Sequence, residues 1–224
     1  MDHNNLYPEL FRSRGWNTRL RLVYMRKGKR ALDVVVAIPL LLLAAPLIGA
    51  LLAAVSLDGA NPLFGQERVG RGGRGFRCWK IRSMSPDAED SLAELLASDP
   101  EMAAEWAENQ KIAEDPRITR IGHFLRRTSL DELPQLWNVI CGDMSLVGPR
   151  PVLHKELERY GVYRAAYKSL RPGLTGPWQV GARDSVSYDV RVLMDVAYAR
   201  GHSLLGDVNL IILTALAVLR RTGR

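Results

Sequence analysis

Residues 34–57 read VVVAIPLLLLAAPLIGALLAAVSL, twenty-four residues without a charge. As one helix they would reach about 36 Å, enough to cross a bilayer core. A buried helix of a water-soluble domain rarely stays uncharged for so long, so the run predicts membrane insertion. A cleaved secretion signal fits less well: Ala54-Val55-Ser56 only faintly resembles a cleavage site, and the run is too long and starts late. Charge decides the kind of insertion. Arg26, Lys27, Lys29 and Arg30 precede the run, and Arg68, Arg71, Arg74, Arg77, Lys80 and Arg82 follow it. Basic residues beside a membrane segment favour the cytoplasmic side, and one straight span cannot put both flanks there. A helix that enters and returns can. Pro39 and Pro46 are the candidate bends, because proline removes a backbone donor and crowds the carbonyl four residues back. Ala45-Pro46 is the more central and is read as the membrane break; the alternative is a single span kinked at proline.

Around that run, the 224-residue chain has an ordinary globular composition, 47% apolar and 25% charged, which excludes a disordered chain and a polytopic transporter. Cys78 and Cys141 are the only cysteines, and His3, His123, His154 and His202 lie far apart. Neither a disulfide framework nor a Cys/His zinc site fits such spacing. The net charge of +7 is uneven. Residues 86–116 hold ten acids and one base, Lys111, a local charge of −9 that leaves +16 for the remainder. A surface of that sign suits nucleotide phosphates and anionic headgroups. It would suit nucleic acid too, but no nucleic-acid motif is present. In the acidic block, Leu92, Leu95, Leu96, Met102 and Trp106 accompany the carboxylates and Pro100 interrupts them, which predicts a solvated helical arm.

Residues 63–69 and 75–82 alternate in polarity around Gly70-Arg71-Gly72-Gly73-Arg74, which predicts a β-hairpin. The glycine cluster lacks the GK[ST] of a phosphate loop and reads as a turn. Helices are expected over 118–127, 133–140, 154–169 and 190–200, with loops over 142–151 and 171–177. Residues 204–220 are apolar, with Arg220, Arg221 and Arg224 at their end, and predict an interfacial helix. The expected fold class is α+β: a small mixed domain with a re-entrant membrane helix and interfacial amphipathic helices. Its parts are a lead-in over 1–25, a membrane helix-break-helix over 26–60, and a cytoplasmic-face catalytic domain over 61–224 that carries the acidic arm.

The densest polar constellation is RRTSLDELPQ, residues 126–135. Pro134 is tolerated in a first helical turn, so Asp131 and Glu132 sit at or near a helix N-terminus. A purely structural account is complete in itself: acids there complement the helix dipole, and Ser129 and Glu132 have capping-box spacing. A functional account adds chemistry. The helix end would lower the Asp131 pKa and keep it ionised, able to attack phosphorus. Glu132, turned about 100° around the helix, would hold a divalent metal, for which hard Mg²⁺ suits carboxylate and phosphate oxygens. Arg126 and Arg127 would neutralise phosphate charge.

Seven motifs then stand in order: Lys29-Arg30-x-x-Asp33, Pro46 inside the apolar run, Phe64-x-Gln66-x-Arg68-x-Gly70, KIRSM at 80–84, SLDELPQ at 129–135, GDMSLVGPRP at 142–151, and RPGLTG at 171–176. Over residues 26–221 the chain resembles the bacterial sugar transferases, monotopic phosphoglycosyl transferases of the polyprenyl-phosphate hexose-1-phosphate transferase, exopolysaccharide-initiating type. The resemblance implies transfer of a sugar-1-phosphate from a UDP-sugar to polyprenyl (undecaprenyl) phosphate with release of UMP, on the cytoplasmic face of the bacterial inner membrane. It implies a re-entrant helix among membrane lipids, Mg²⁺ as cofactor, Asp131 as the nucleophile that becomes a covalent phosphosugar intermediate, and Glu132 as the metal ligand. The family's Ser-Pro break is Ala45-Pro46 here, so a hydroxyl that could satisfy a freed carbonyl is lost. Lys80, Arg82, Arg126 and Arg150 are the candidate phosphate-binding residues, and Arg171, Gln179, Arg183 and Asp195 the candidates for nucleotide or sugar. The long acidic insertion resembles that of members handling hexose phosphates, which points to UDP-galactose or UDP-glucose. A homodimer is allowed by the family, and no nucleic-acid partner is expected. Two other classes compete: a membrane phosphohydrolase using the same carboxylates with water as acceptor, and a non-catalytic basic membrane adaptor.

Overall fold

A computed structural model describes residues 22–109, 112, 114–181 and 186–219. Most of the 1–25 lead-in, Arg183 and the terminal arginines lie outside the described residues. A π-helical turn, Tyr24–Gly28, leads into helix α1, Lys29–Val55, which a short 3₁₀ turn, Ser56–Asp58, closes. The segment from Lys29 to Asp58 is long and apolar enough to cross a membrane by length and composition. α1 runs without interruption through Pro39 and Pro46, so the expected division into two helices at Ala45-Pro46 gives way to one continuous helix. A proline deletes one backbone bond, and a helix can absorb that by bending without ending. Only Asp33, Ala37 and Val55 of α1 are buried, and its middle stands clear, with Leu42 and Leu43 70% and 80% exposed.

Both ends of α1 are held by the same domain. Near the start, the Asp33 carboxylate accepts from the Ser145 hydroxyl and the Leu146 amide, both at 2.9 Å. Ala37 joins a core with Cys78, Leu136, Val139, Met144 and Tyr198. At the other end, Val55 packs in a separate cluster with Ile81 and Leu125.

The expected hairpin is present. Strands β1, Leu63–Val69, and β2, Gly75–Ile81, pair antiparallel with Phe64 opposite Lys80, Gln66 opposite Cys78 and Arg68 opposite Phe76. Gly72 and Gly73 turn the chain at φ of 73° and 81°, the left-handed region that glycine enters without steric cost. The acidic arm is helical and split before Pro100 as expected, into α2, Ala88–Ser98, and α3, Pro100–Asn109. Its base is closed by a buried ion pair, Arg117 to Asp115 at 2.7 Å.

Helices α4, Arg120–Thr128, and α5, Gln135–Cys141, flank the acidic pair. Two expectations fail beyond them. The loops over 142–151 and 171–177 contain short strands, β3, Ser145–Val147, and β4, Gly173–Thr175, paired in parallel. Their backbones approach so closely at Gly148 that a Cβ on Gly173 would lie 2.1 Å from the Gly148 nitrogen. The single helix expected over 154–169 is three pieces: α6, His154–Glu158, a 3₁₀ turn Gly161–Tyr163, and α7, Arg164–Lys168. Gly161 breaks it at a φ of 49°. Helix α8, Pro177–Gly181, follows β4, and α9, Tyr188–Gly201, and α10, Leu204–Leu219, complete the described residues.

The first and last of the described helices are knotted by a buried polar group. Asp207, fully buried on α10, accepts from Lys29 at 2.7 Å, from the Tyr198 hydroxyl at 2.7 Å and from the Tyr24 hydroxyl. Lys29 also donates to the Tyr198 hydroxyl at 2.9 Å. Leu205, Ile212 and Leu216 of α10 are exposed.

Candidate active site

The turn that carries the acidic pair is built by α4 and α5. α4 ends at Ser129, the one described non-glycine residue with positive φ, at 57°. That reversal drives the chain into a 3₁₀ turn, Leu130–Glu132, and Pro134 then caps α5. Asp131 and Glu132 therefore lie in a turn before the helix, not in its first turn. The capping box expected of Ser129 and Glu132 does not form, since Ser129 makes no side-chain cap bond. A left-handed non-glycine residue costs free energy and persists where the surroundings impose it, commonly at functional sites.

Asn138 of α5 sets this turn against the hairpin. Its amide donates to the Arg77 carbonyl at 2.8 Å and its oxygen accepts from the Trp79 amide at 3.1 Å, so it pairs with β2 as a neighbouring strand would. Lys80 is thereby brought between the two carboxylates: its ammonium lies 2.6 Å from Glu132 and 3.8 Å from Asp131. Asp131 is buried, while Glu132 is open to solvent. Arg126 flanks Asp131 from α4, held by a 2.8 Å bond from its Nε to the Ser83 hydroxyl. Arg150 acts electrostatically on Lys80 from the 149–151 loop, its guanidinium 5.7 Å from the Trp178 ring centre. Arg68 and Cys78 belong to the same neighbourhood, because residues two apart on paired strands share a face.

The electrostatics overturn one expectation. Burial drives the Asp131 pKa up to about 6, with the Lys80 charge opposing it and Glu132 adding to it. Helix-dipole stabilisation was expected to lower it; removal from water outweighs that effect. Asp131 is still mostly ionised at neutral pH and is a stronger base than an exposed carboxylate. The Lys80 pKa also rises, but for the opposite reason. Desolvation works against its ammonium, but Glu132 and then Asp131 hold its pKa above the ordinary lysine value.

Other sequence candidates are placed elsewhere. Arg82 spends its guanidinium on oxygens of the chain itself: Asn61, Met84 and Val55 carbonyls and the Asp58 carboxylate. Arg171 donates to the Gly142 carbonyl at 2.7 Å, near Arg30 and Arg71, at the far end of α5. Gln179 bonds the Leu174 carbonyl from α8. Arg183 lies outside the described residues. Asp195 is neither in the acidic turn nor on a helix surface: it is 3% exposed, in a core with Tyr160, Tyr167 and Val192. The Tyr160 hydroxyl donates to its Oδ2 at 2.7 Å, while Oδ1 has no hydrogen-bond partner among the described residues. Burial raises its pKa to about 7, against the Tyr160 bond.

That value carries a sign. A carboxyl whose folded pKa exceeds its unfolded one stabilises the fold fully below the unfolded value, near 4, and loses that contribution as pH rises through about 7. Chemical denaturation in detergent should show stability falling over that window, by on the order of 1 kcal/mol per pH unit. Asp195→Asn should flatten the slope and leave the protein more stable than the parent at pH 8.

Among the described residues no three His, Cys, Asp or Glu side chains gather as a metal cage. The dyad offers two hard carboxylates, one of them open to solvent, and Mg²⁺ is commonly held by one or two carboxylates together with substrate phosphates and water. The donor set therefore fits that ion in the presence of a phosphate ligand.

The bacterial sugar transferase family model matches residues 24–221. The chain is 51% identical over 195 residues to the UDP-galactose-lipid carrier transferase of Erwinia amylovora and 49% identical over 195 residues to the undecaprenyl-phosphate galactose phosphotransferase of Salmonella typhimurium. Each match covers 87% of this chain and 41% of the relative, so the chain spans about two fifths of those proteins. It is also 42% identical over 197 residues to the exopolysaccharide production protein ExoY of Rhizobium meliloti, covering 88% of this chain and 87% of that one.

Proposed function

Because the chain belongs to the bacterial sugar transferase family, we propose that it moves a hexose-1-phosphate from a UDP-sugar onto undecaprenyl phosphate and releases UMP, through a phosphosugar carried on Asp131. The observation that carries this reading is the buried Asp131 carboxylate with Lys80 between it and Glu132 and with Arg126 at its flank. In the first step an Asp131 oxygen attacks the sugar-linked phosphorus, the bond from that phosphorus to the UMP oxygen breaks, and an acyl phosphate forms. In the second, a phosphate oxygen of the lipid attacks the same phosphorus, the bond to Asp131 breaks, and the carboxylate is regenerated. One diphosphate linkage replaces another, so no further energy source is needed. Lys80, Arg126 and Arg150 supply three cations against two carboxylates, an excess of one positive charge toward the two charges of a diphosphate. Glu132 would hold Mg²⁺, which supplies further neutralisation of phosphate charge when bound. Positioning and charge compensation account for most of the rate in such transfers.

Two features support a re-entrant helix on the cytoplasmic face of the inner membrane. Basic residues flank α1 on both sides, and both of its ends rest on one domain while its middle is bare. Galactose is the favoured hexose, since it is the sugar named in the two relatives of highest identity given above. The test is mass spectrometry of the protein mixed with UDP-galactose alone. A hexose-phosphate adduct on the peptide containing Asp131, discharged by undecaprenyl phosphate, is expected; absence of the adduct while turnover continues would exclude the covalent route.

A further inference from the structure

Residues 80–83 connect three parts of the molecule in four consecutive positions. Lys80 reaches the two carboxylates. Ile81 packs on Val55, the last residue of α1, and on Leu125 of α4. Arg82 grips the exit of α1. Its Nη2 donates to the Val55 carbonyl at 3.2 Å and to Asp58 at 2.6 Å, its Nε to the Asn61 carbonyl at 2.9 Å and its Nη1 to the Met84 carbonyl at 3.1 Å. Ser83 holds Arg126 through its hydroxyl.

The Val55 carbonyl closes α1 where the chain tightens into the 3₁₀ turn Ser56–Asp58, and a helix-end carbonyl near hydrocarbon is costly unless well satisfied. Arg82 adds a donor to it from a rigid fork that makes four hydrogen bonds to oxygens, and the side chain is only 11% exposed. The Arg82 backbone amide adds a 2.8 Å bond to the Pro62 carbonyl, which joins the start of β1 to the same point. The helix exit and the strand that bears Lys80 are thus fixed to each other within two residues.

We propose that Arg82 is a positioning residue that fixes the height of the Asp131 site above the bilayer, so that it governs reaction with the lipid acceptor and leaves the sugar-nucleotide step alone. This rests on the lipid-acceptor reading above. The donor arrives from water and needs no fixed height. The lipid phosphate is confined near the membrane surface, and a displacement of about 1 Å can cost about a hundredfold in a positioned reaction.

The test compares Arg82→Ala and Arg82→Lys with the parent chain in bilayer nanodiscs. Undecaprenyl phosphate in the bilayer and farnesyl phosphate supplied from solution serve as alternative acceptors for UDP-galactose. We expect Arg82→Ala to lose about tenfold or more in kcat/KM for undecaprenyl phosphate and less than about threefold for farnesyl phosphate, with the donor-only burst of UMP within about twofold of the parent. Arg82→Lys keeps the charge without the fork and should show the same bias toward farnesyl phosphate in a smaller degree, which guards against misfolding of the alanine variant. Equal losses on both acceptors, loss of the donor-only burst alone, or an unchanged acceptor ratio in a folded variant overturns the proposal. A parent chain that transfers without any donor-only burst would instead refute the covalent intermediate, and the acceptor ratio would still read the clamp.

Discussion

Asp131→Asn is expected to abolish the donor-only release of UMP and the phosphosugar adduct, and to lower turnover by at least about 10⁴-fold. The substitution is nearly isosteric and keeps an acceptor oxygen, so the turn built on Ser129 and Asn138 should persist. An amide oxygen is far too weak a nucleophile for phosphorus. Persistence of the fold, checked by the same thermal transition as the parent, would separate lost chemistry from lost structure. The pH profile of the parent gives a second readout. The carboxylate must be ionised to attack, so the donor-only burst should fall as pH drops through about 6. Activity retained at the parent level in the asparagine variant would exclude Asp131 as nucleophile.

Lys80→Met is the second large effect. Its ammonium is the one cation with ion pairs to both Asp131 and Glu132 among the described residues. Without it two carboxylates adjoin with less compensation, and the Asp131 pKa should rise above about 6. The acid limb of the pH profile should therefore move upward by about one unit, with kcat/KM at neutral pH reduced by about a hundredfold. Part of that loss should return as pH is raised toward 8, because re-ionising Asp131 restores the nucleophile but not the missing charge on the phosphate. A variant whose limb does not move would show that Lys80 acts on substrate alone. The ordinary expectation for a surface ion pair is an effect below about 1 kcal/mol, but Lys80 serves a buried partner and does not fall under that estimate.

Much of this architecture can be read from the residues alone. The hairpin announces itself by its alternation and a glycine cluster, the arm by its carboxylates and Pro100, and α10 by its largely apolar sequence. What escapes is governed by distant partners. Strands of three residues have no measurable period, and β3 finds β4 across most of thirty positions of chain. Gly161 ends a helix whose periodicity continues past it. Asp131 and Glu132 stand out by their density of charge, yet the direction of the Asp131 shift depends on burial that only the tertiary packing supplies. Asn138 gave no signal, because an asparagine mimicking a strand edge looks like any polar residue on a helix. Arg82 resembles every other basic residue beside a membrane until its four oxygen partners are seen.

The buried knot at Asp207 sets an order of events in biosynthesis. Tyr24 and Lys29 leave the ribosome first, and the carboxylate that receives both of them emerges some 180 residues later. The apolar helix can thus be made and inserted before its latch exists, and the Lys29 ammonium waits for its carboxylate until position 207 has been translated. A nonsense codon ahead of position 207 would remove the carboxylate that gathers the Lys29 ammonium and the Tyr24 hydroxyl, and quality-control proteases would meet a chain that is inserted but never latched.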